Sequence, residues 1–246
     1  MEHIALDEVD STNDRALEMW RTRAAPSPFF VSARTQTAGV GRQGRPWHSP
    51  PGGGWLTRAW PMLADPALYA PLPLLVGLAV RDAIAAQTAA EGQIKWPNDV
   101  LIADKKVAGV LCRAELIPGR PLMLIGVGIN AAFPAAHLAP GLRQPATTLL
   151  DETGRSPDVT ALARAVAAHI ADAARELESR RLASLLPRAR RHLAWLNQPV
   201  TCTDARGETL AAGLFRGVDG QGAALIESAG HRRPIAIGEL HFSRAK

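Results

Sequence analysis

Apolar and polar positions along the chain change period several times, and each change marks an element. Asp10, Ser11, Thr12 and Asn13 are residue types that cap helix starts, and Ala16, Leu17 and Trp20 follow at helical spacing. Residues 29–34 (FFVSAR) predict a strand. Residues 37–54 show no apolar period; they form a long Gly/Pro-rich loop carrying Arg42, Arg45 and His48, and loops of that length inside compact domains are usually functional. Residues 55–61 predict a second strand, and 72–90 a helix apolar on most sides and therefore buried. Residues 93–96 and 99–102 read as strand pieces around a Pro97-Asn98 turn. Residues 107–113 and 122–129 read as neighbouring strands, the second with both faces buried.

Ser156 supplies a capping hydroxyl and Pro157 a first helical residue, predicting a helix to about residue 181, with another over 182–195. After Asn197 the rhythm changes. Short runs PVTCT, LAAGLFRGV, AALIES and PIAIGEL alternate with turns ARGE, DGQG and SAGH, the pattern of a small β-barrel or sandwich. A boundary near Asn197 divides the chain into residues 1–196 and 197–246, and the mixture of helices and strands before it makes the class α+β.

Composition narrows the possibilities. Apolar residues form 47% of the 246, enough for a core, and charged residues at 21% argue against disorder. The longest uninterrupted apolar runs, 72–80 and 122–129, are short for a bilayer span, and the acidic N-terminus MEHIALDEVD does not read as a signal peptide. The expectation is a cytoplasmic protein without a membrane partner. The net charge is +5, yet of 28 basic residues only Lys95, Lys105, Lys106 and Lys246 are lysine. Such basicity is weak support for a nucleic-acid partner and suits an anionic small molecule equally well. Lysines 95, 105 and 106 cluster, as though a compact ammonium were wanted there. Cys112 and Cys202 form no CxxC pair and read as small buried apolar residues.

Four motifs carry candidate chemistry. In the loop Gln36-Thr-Ala-Gly39-Val40-Gly41-Arg42-Gln-Gly44-Arg45-Pro-Trp47, glycines let backbone N–H groups approach an anion, and two arginines can fork onto phosphate or carboxylate oxygens. It lacks the GKS or GKT of a P-loop, and alone it is equally a mobile surface loop. In Lys95-Trp-Pro-Asn98-Asp99, followed by Lys105-Lys106-Val-Ala-Gly109, a Pro-Asn turn can hold polar side chains and the lysine can face a phosphate; alone it is equally a hairpin with a charged tip. In Gly126-Val-Gly128-Ile-Asn130, glycines ending a buried strand mean that something packs on the backbone, and Asn130 either meets a ligand or ends the strand. Ser11-Thr12-Asn13 serves as a helix cap and is also placed to meet a ligand.

Taken together and in this order, STN, GxGRxGRxW, KWPND, KxxG, GxGIN and a small C-terminal β unit resemble the biotin–protein ligase family over essentially the whole chain. The STN element begins at residue 11, which suits the short form without an N-terminal DNA-binding segment. The resemblance implies a class II synthetase-like mixed sheet with an SH3-like C-terminal barrel. It implies biotin, ATP and Mg2+ as reactants and cofactor, a biotin carboxyl carrier protein of acetyl-CoA carboxylase as acceptor, and no nucleic acid. Ser11, Thr12 and Gln36 would hydrogen-bond the ureido ring of biotin, with Asn13 in the same element. Gly39, Val40, Gly41 and Arg42 would close over the carboxylate and phosphate, with Trp47 and Gly109 beside them. Lys106 would contact the carboxylate and α-phosphate and, with Arg42, carry the catalysis. Arg45 would address ATP phosphates, Asn98 and Asp99 would support the site and the metal or nucleotide, and Asn130 would lie near the nucleotide; no residue is assigned as a metal ligand.

Some positions depart from the family pattern. Val40 stands where many members carry arginine, which leaves only a backbone role. Arg113 stands where a glutamate often follows the KxxG strand, with Glu115 two residues on. Ala146 replaces an adenine-stacking tryptophan found in some members, and Arg244 is a candidate phosphate contact. Lipoate or octanoate ligases are the closest rival, opposed by KWPND and GxGRxGRxW. A nucleic-acid-binding module is the rival from another class, opposed by the absence of a recognition helix or aromatic platform.

Overall fold

The computed structural model describes residues 1–24, 27–63, 65–142, 144–179 and 182–242. Seven strands form one mixed sheet: β1 (Glu2–Val9), β2 (Phe29–Gln36), β3 (Gly54–Pro61), β4 (Gln93–Lys95), β5 (Asp99–Ile102), β6 (Lys105–Glu115) and β7 (Leu122–Ile129), in the order β1-β2-β3-β7-β6-β5-β4. β1 runs parallel to β2 and every other pairing is antiparallel. β1 lies in the stretch read from sequence only as an acidic terminus.

β7 occupies the middle of the sheet, and its alternation organises two layers. Met123, Ile125, Val127 and Ile129 pack into the larger core with α2 (Leu72–Thr88) and α4 (Val159–Glu178). On the opposite face Leu122 and Leu124 join Ala16, Leu17 and Trp20 of α1 (Thr12–Thr22). Further along that second face the residues become Gly126 and Gly128. Large side chains run out there, and the sheet surface is left open for a site. α5 (Leu182–Arg191) flanks α2 and α4. The segment Pro66–Thr88 is long and apolar enough by length and composition to cross a membrane, yet 67% of its most apolar window is buried, as in a core helix.

Several boundaries differ from the sequence expectation, among them the end of the helix expected over 182–195, which stops at Arg191. The long helix starts at Val159 rather than Pro157, because the Asp158 side chain accepts from the Ala161 N–H at 3.0 Å and takes over the cap. A short helix α3 (Leu149–Thr153), capped by Thr148 and stopped by left-handed Gly154, was not anticipated. The chain then enters a second sheet: β8 (Pro199–Thr203), β9 (Thr209–Val218), β10 (Ala224–Ser228), β11 (His231–Ile235) and β12 (Glu239–Phe242), antiparallel in the order β11-β10-β9-β8-β12. The run read as one strand, PIAIGEL, is divided between β11 and β12. The two edge strands do not pair, so hydrogen bonding leaves this sheet open rather than closed into the expected barrel. The two sheets touch through specific bonds, among them Trp96 Nε1 donating to the Gly222 carbonyl at 2.8 Å.

Candidate functional site

A cavity of about 400 Å3 opens over the glycine end of β7. Ser11, Thr12 and Asn13 at the start of α1 wall one side, and Arg42, Arg45 and Trp47 from the loop wall another. Asn98, Asp99, Lys106 and Gly109 come from the β4–β5 turn and β6, and Glu239 enters from β12. Elements separated by more than two hundred positions thus meet at one point.

The α1 end is a hydrogen-bonded amide and hydroxyl network. Ser11 caps α1, its hydroxyl accepting from Asp14 N–H at 3.4 Å. Gln36 Oε1 accepts from both Thr12 N–H (2.8 Å) and Thr12 Oγ1 (3.0 Å), while Gln36 Nε2 donates to Ser49 Oγ at 2.9 Å. Thr57 Oγ1, fully buried on β3, lies 2.8 Å from Thr12 Oγ1 and 2.9 Å from Asn13 Oδ1. The glycines make room for these groups. A Cβ on Gly126 would stand 2.8 Å from Asn13 Oδ1 and Nδ2, one on Gly128 would stand 2.6 Å from the Trp47 indole, and one on Gly109 would stand 3.1 Å from it.

The loop is tied back by backbone hydrogen bonds. Thr37 and Ala38 N–H groups donate to Val9 and Asp10 carbonyls at 2.9 Å each, and Trp47 N–H donates to Gly39 O at 2.8 Å. Gly39 sits behind the cavity under the Trp47 carbonyl, and the Gly41 N–H is engaged by Arg45 O at 2.8 Å. Val40 is exposed at the cavity rim. The Trp47 ring meets Trp55 edge-on at 6.5 Å, Lys106 Nζ lies 5.0 Å from its centroid, and its buried Nε1 has no hydrogen-bond partner among the described residues.

The charged end is cationic. Arg42 donates to Asn98 Oδ1 (3.0 Å) and to the Gly238 carbonyl (3.1 Å); burial pulls its guanidinium below the usual arginine value, against the raising charges of Asp99 and Glu239. Asn98 is itself held, its Nδ2 donating to Val110 O at 2.8 Å. Lys106 Nζ and Asp99 Oδ1 form an ion pair at 2.7 Å, off the hydrogen-bonding direction, so this buried oxygen has a charge partner but no hydrogen bond. Arg45 Nη2 donates to Glu239 Oε2 at 3.0 Å. Lys95, 2% exposed, donates to Gln144 Oε1 at 2.7 Å and pairs with Glu239 Oε1 at 3.4 Å. Burial lowers the Lys95 ammonium from its ordinary value. Burial alone would raise the Glu239 carboxyl, but the charges of Lys95 and Arg45 outweigh it and bring the value down to about 2.

Of the residues given a biotin, ATP or catalytic role from the sequence, all but Gly39 line this cavity. Asn130 lines it too, though its side chain donates to Thr147 O at 3.0 Å. Ala146 borders the cavity beside Lys106, whereas Arg113 turns away to pair with Asp14 (3.1 Å) and Glu115 (2.9 Å). Arg244 lies outside the described residues. Thr57, Gln144 and Glu239 were not singled out as site residues. Thr57 reads as an ordinary strand threonine, and only three-dimensional proximity brings the other two here. Among the described residues, no group of three or more His, Cys, Asp or Glu is placed to hold a metal ion.

Comparison with known proteins adds the remaining finding. Residues 5–130 match the model of the biotin/lipoate A/B protein ligase family. The bifunctional ligase/repressor BirA of Escherichia coli is 31% identical over 243 residues, covering 98% of this chain and 74% of its own. The biotin--[acetyl-CoA-carboxylase] ligase of Paracoccus denitrificans is 31% identical, covering 96% of this chain and 99% of its own. The biotin protein ligase of Aquifex aeolicus, solved in complex with biotin and ATP, superposes with a TM-score of 0.81 at 27% identity, covering 99% of both chains. With a matched family model over half its length and relatives aligned nearly end to end, this chain belongs to the biotin/lipoate A/B protein ligase family.

Proposed function

We propose that this chain is an ATP-dependent biotin–protein ligase that joins biotin to a lysine of a carboxylase carrier protein. One observation carries the reading. Lys106, Arg42 and Arg45 face the same cavity whose far wall is the Ser11-Thr12-Asn13-Gln36 network. A neutral set of donors and acceptors suits a ureido ring, and a cationic set suits a carboxylate meeting a polyphosphate. The relatives named as biotin ligases, and a solved neighbour holding biotin and ATP, support it over a lipoate or octanoate ligase.

In the first half-reaction a biotin carboxylate oxygen attacks the α-phosphorus of ATP. The bond from that phosphorus to the β-phosphate oxygen breaks and pyrophosphate leaves, giving biotinyl-5′-AMP. Both reactants are anions, so charge repulsion forms part of the barrier. Lys106 and Arg42, held by Asp99 and Asn98, offset that repulsion and stabilise charge on the phosphoryl oxygens. In the second half-reaction the neutral acceptor amine attacks the acyl carbon, the bond from that carbon to the phosphate oxygen breaks, AMP leaves and the amine's proton passes to solvent. The 37–53 loop and Trp47 cover the adenylate and limit its hydrolysis until the acceptor arrives. Neither cysteine is needed as a nucleophile, and burial pushes the Cys112 thiol up to about 12.

Mg2+ fits this donor set as a companion of ATP. It typically takes one or two carboxylates plus substrate phosphates rather than a cage of protein ligands. The Asp99 oxygen without a hydrogen bond is the carboxylate placed to help hold it. The ion would supply neutralisation of phosphate charge.

The division at residue 197, between a catalytic unit and a C-terminal unit, is supported by the separate hydrogen-bonded sheet that starts at Pro199. Five short antiparallel strands in that sheet favour an SH3-like module. A cytoplasmic setting agrees with ATP use and with two unpaired cysteines. The direct test is incubation with biotin, Mg·ATP and a carrier domain. A biotin adduct on the acceptor lysine by mass spectrometry is expected. An adduct with lipoate in preference to biotin would reassign the substrate.

A further inference from the structure

We propose that the Glu239 carboxylate stands in the place of an ATP phosphate, and that Arg45 and Lys95 exchange it for that phosphate when nucleotide enters. The proposal rests on the ligase reading above and adds to it a regulated, self-occupied phosphate subsite.

Glu239 bridges two cations with one oxygen each: Oε2 to Arg45 Nη2 at 3.0 Å and Oε1 to Lys95 Nζ at 3.4 Å. Two oxygens of one phosphate could satisfy the same pair. Lys95 is otherwise hard to explain. An ammonium 2% exposed is unfavourable unless charge and hydrogen bonds compensate. Its two partners, Gln144 and Glu239, both line the cavity and screen Lys95 from it. Beside them Gln144 Nε2 is buried and, among the described residues, has no hydrogen-bond partner. Lys95 and Arg45 therefore form a two-sided donor set around the Glu239 carboxylate, with Gln144 bound to the same Lys95.

The charge balance points the same way. Among the described residues, Arg42, Arg45, Lys95 and Lys106 are balanced by Asp99 and Glu239, so the cluster carries excess positive charge, and removing Glu239 from it raises the demand for an anion. The exchange needs only rotation of one side chain. The C-terminal sheet remains tied by Arg42 to Gly238 O at 3.1 Å and by Trp96 to Gly222 O at 2.8 Å. Empty, the subsite is held together by Glu239; filled, it is held by phosphate. The C-terminal sheet thereby sets the threshold for nucleotide entry.

The test is calorimetric titration of the full chain with ATP, with inorganic pyrophosphate and, separately, with biotin. Glu239→Gln keeps the shape and hydrogen-bonding capacity but removes the competing charge. Its Kd for ATP and for pyrophosphate should fall about fivefold, the size of one partly screened charge interaction. Its Kd for biotin should not move. Lys95→Met should weaken both phosphate ligands by about tenfold or more. A Glu239 that is only a strut predicts the opposite sign, because Arg45 loses its anchor. Nucleotide affinity unchanged or weakened in Glu239→Gln overturns the proposal. If that variant does not fold, Glu239→Asp, too short to reach both cations, is read in the same way. A wild-type chain that binds pyrophosphate but not biotin would strike the ligase reading and leave the exchange standing.

Discussion

The indole of Trp47 lies against the bare α-carbon of Gly128, where a single added Cβ would come within 2.6 Å of ring atoms Cε2 and Nε1. Gly128 is not one of the left-handed glycines, so its role there is space rather than backbone freedom. Gly128→Ala should displace Trp47 without breaking β7, because the tryptophan belongs to a loop and can yield. Overpacking of this kind typically costs about 1–3 kcal/mol. The expected result is a rise of about tenfold in KM for biotin with a melting temperature lowered by only a few degrees. A variant with wild-type KM would mean that the Trp47 position is irrelevant to biotin.

Lys106 and Asp99 make a second such pair. Lys106→Ala should slow adenylate formation by about 10²–10³, the usual loss for one transition-state cation. It also strands a carboxylate that is 5% exposed, which should destabilise the chain by about 1–3 kcal/mol. Adding Asp99→Asn should recover stability but not rate. ATP–pyrophosphate exchange and denaturant titration separate the two effects. A single variant that retains more than a third of the exchange rate while folded would remove Lys106 from the chemistry.

How much of this was legible in the sequence depends on how local each signal is. The loop 37–54, the β4–β5 turn and the glycine end of β7 are marked by residue types with a backbone reason to be there, and the structure brings all three to one cavity. Strand β1 went unread because its outer edge is unpaired and none of its residues is fully buried, which blurs the apolar alternation. Asp158 displaced Ser156 as the cap because two capping residue types stood two positions apart and spacing alone does not choose between them. Glu239 and Gln144 carry no local signal, since their meaning comes from Lys95, which lies far from both in the chain. Whether short strands close into a barrel depends on pairing between the edges β11 and β12, which alternation does not encode.

Thr57 illustrates the same limit and can be tested. Its hydroxyl, fully buried, lies within hydrogen-bond distance of both Thr12 Oγ1 and Asn13 Oδ1. Thr57→Val preserves volume and strand preference while leaving these two groups short of a partner. A cost of about 1–2 kcal/mol in stability is expected, together with weaker biotin binding, because the α1 end of the cavity is then no longer fixed. Biotin titration calorimetry and thermal unfolding measure the two separately. Lost stability with intact biotin affinity would show that the network supports the fold alone.

The acid limb of stability offers the last prediction. The Glu239 carboxyl is ordinarily near 4.5 and is brought to about 2 in the fold, despite burial, by Lys95 and Arg45. A group whose folded value is depressed contributes stability above its unfolded value and loses it as pH falls toward the folded one. Glu239 should therefore support the fold fully above about pH 4.5 and progressively less down to about pH 2. Other carboxylates titrate in the same window, including Glu227 between Arg216 and Arg232. The informative quantity is thus the difference between wild type and Glu239→Gln. Unfolding free energies from denaturant titration should differ most near neutral pH and converge as the pH drops through that window. Parallel curves at every pH would mean that the carboxylate gains nothing from its two cations, and the bridge between the two sheets would then be steric rather than electrostatic.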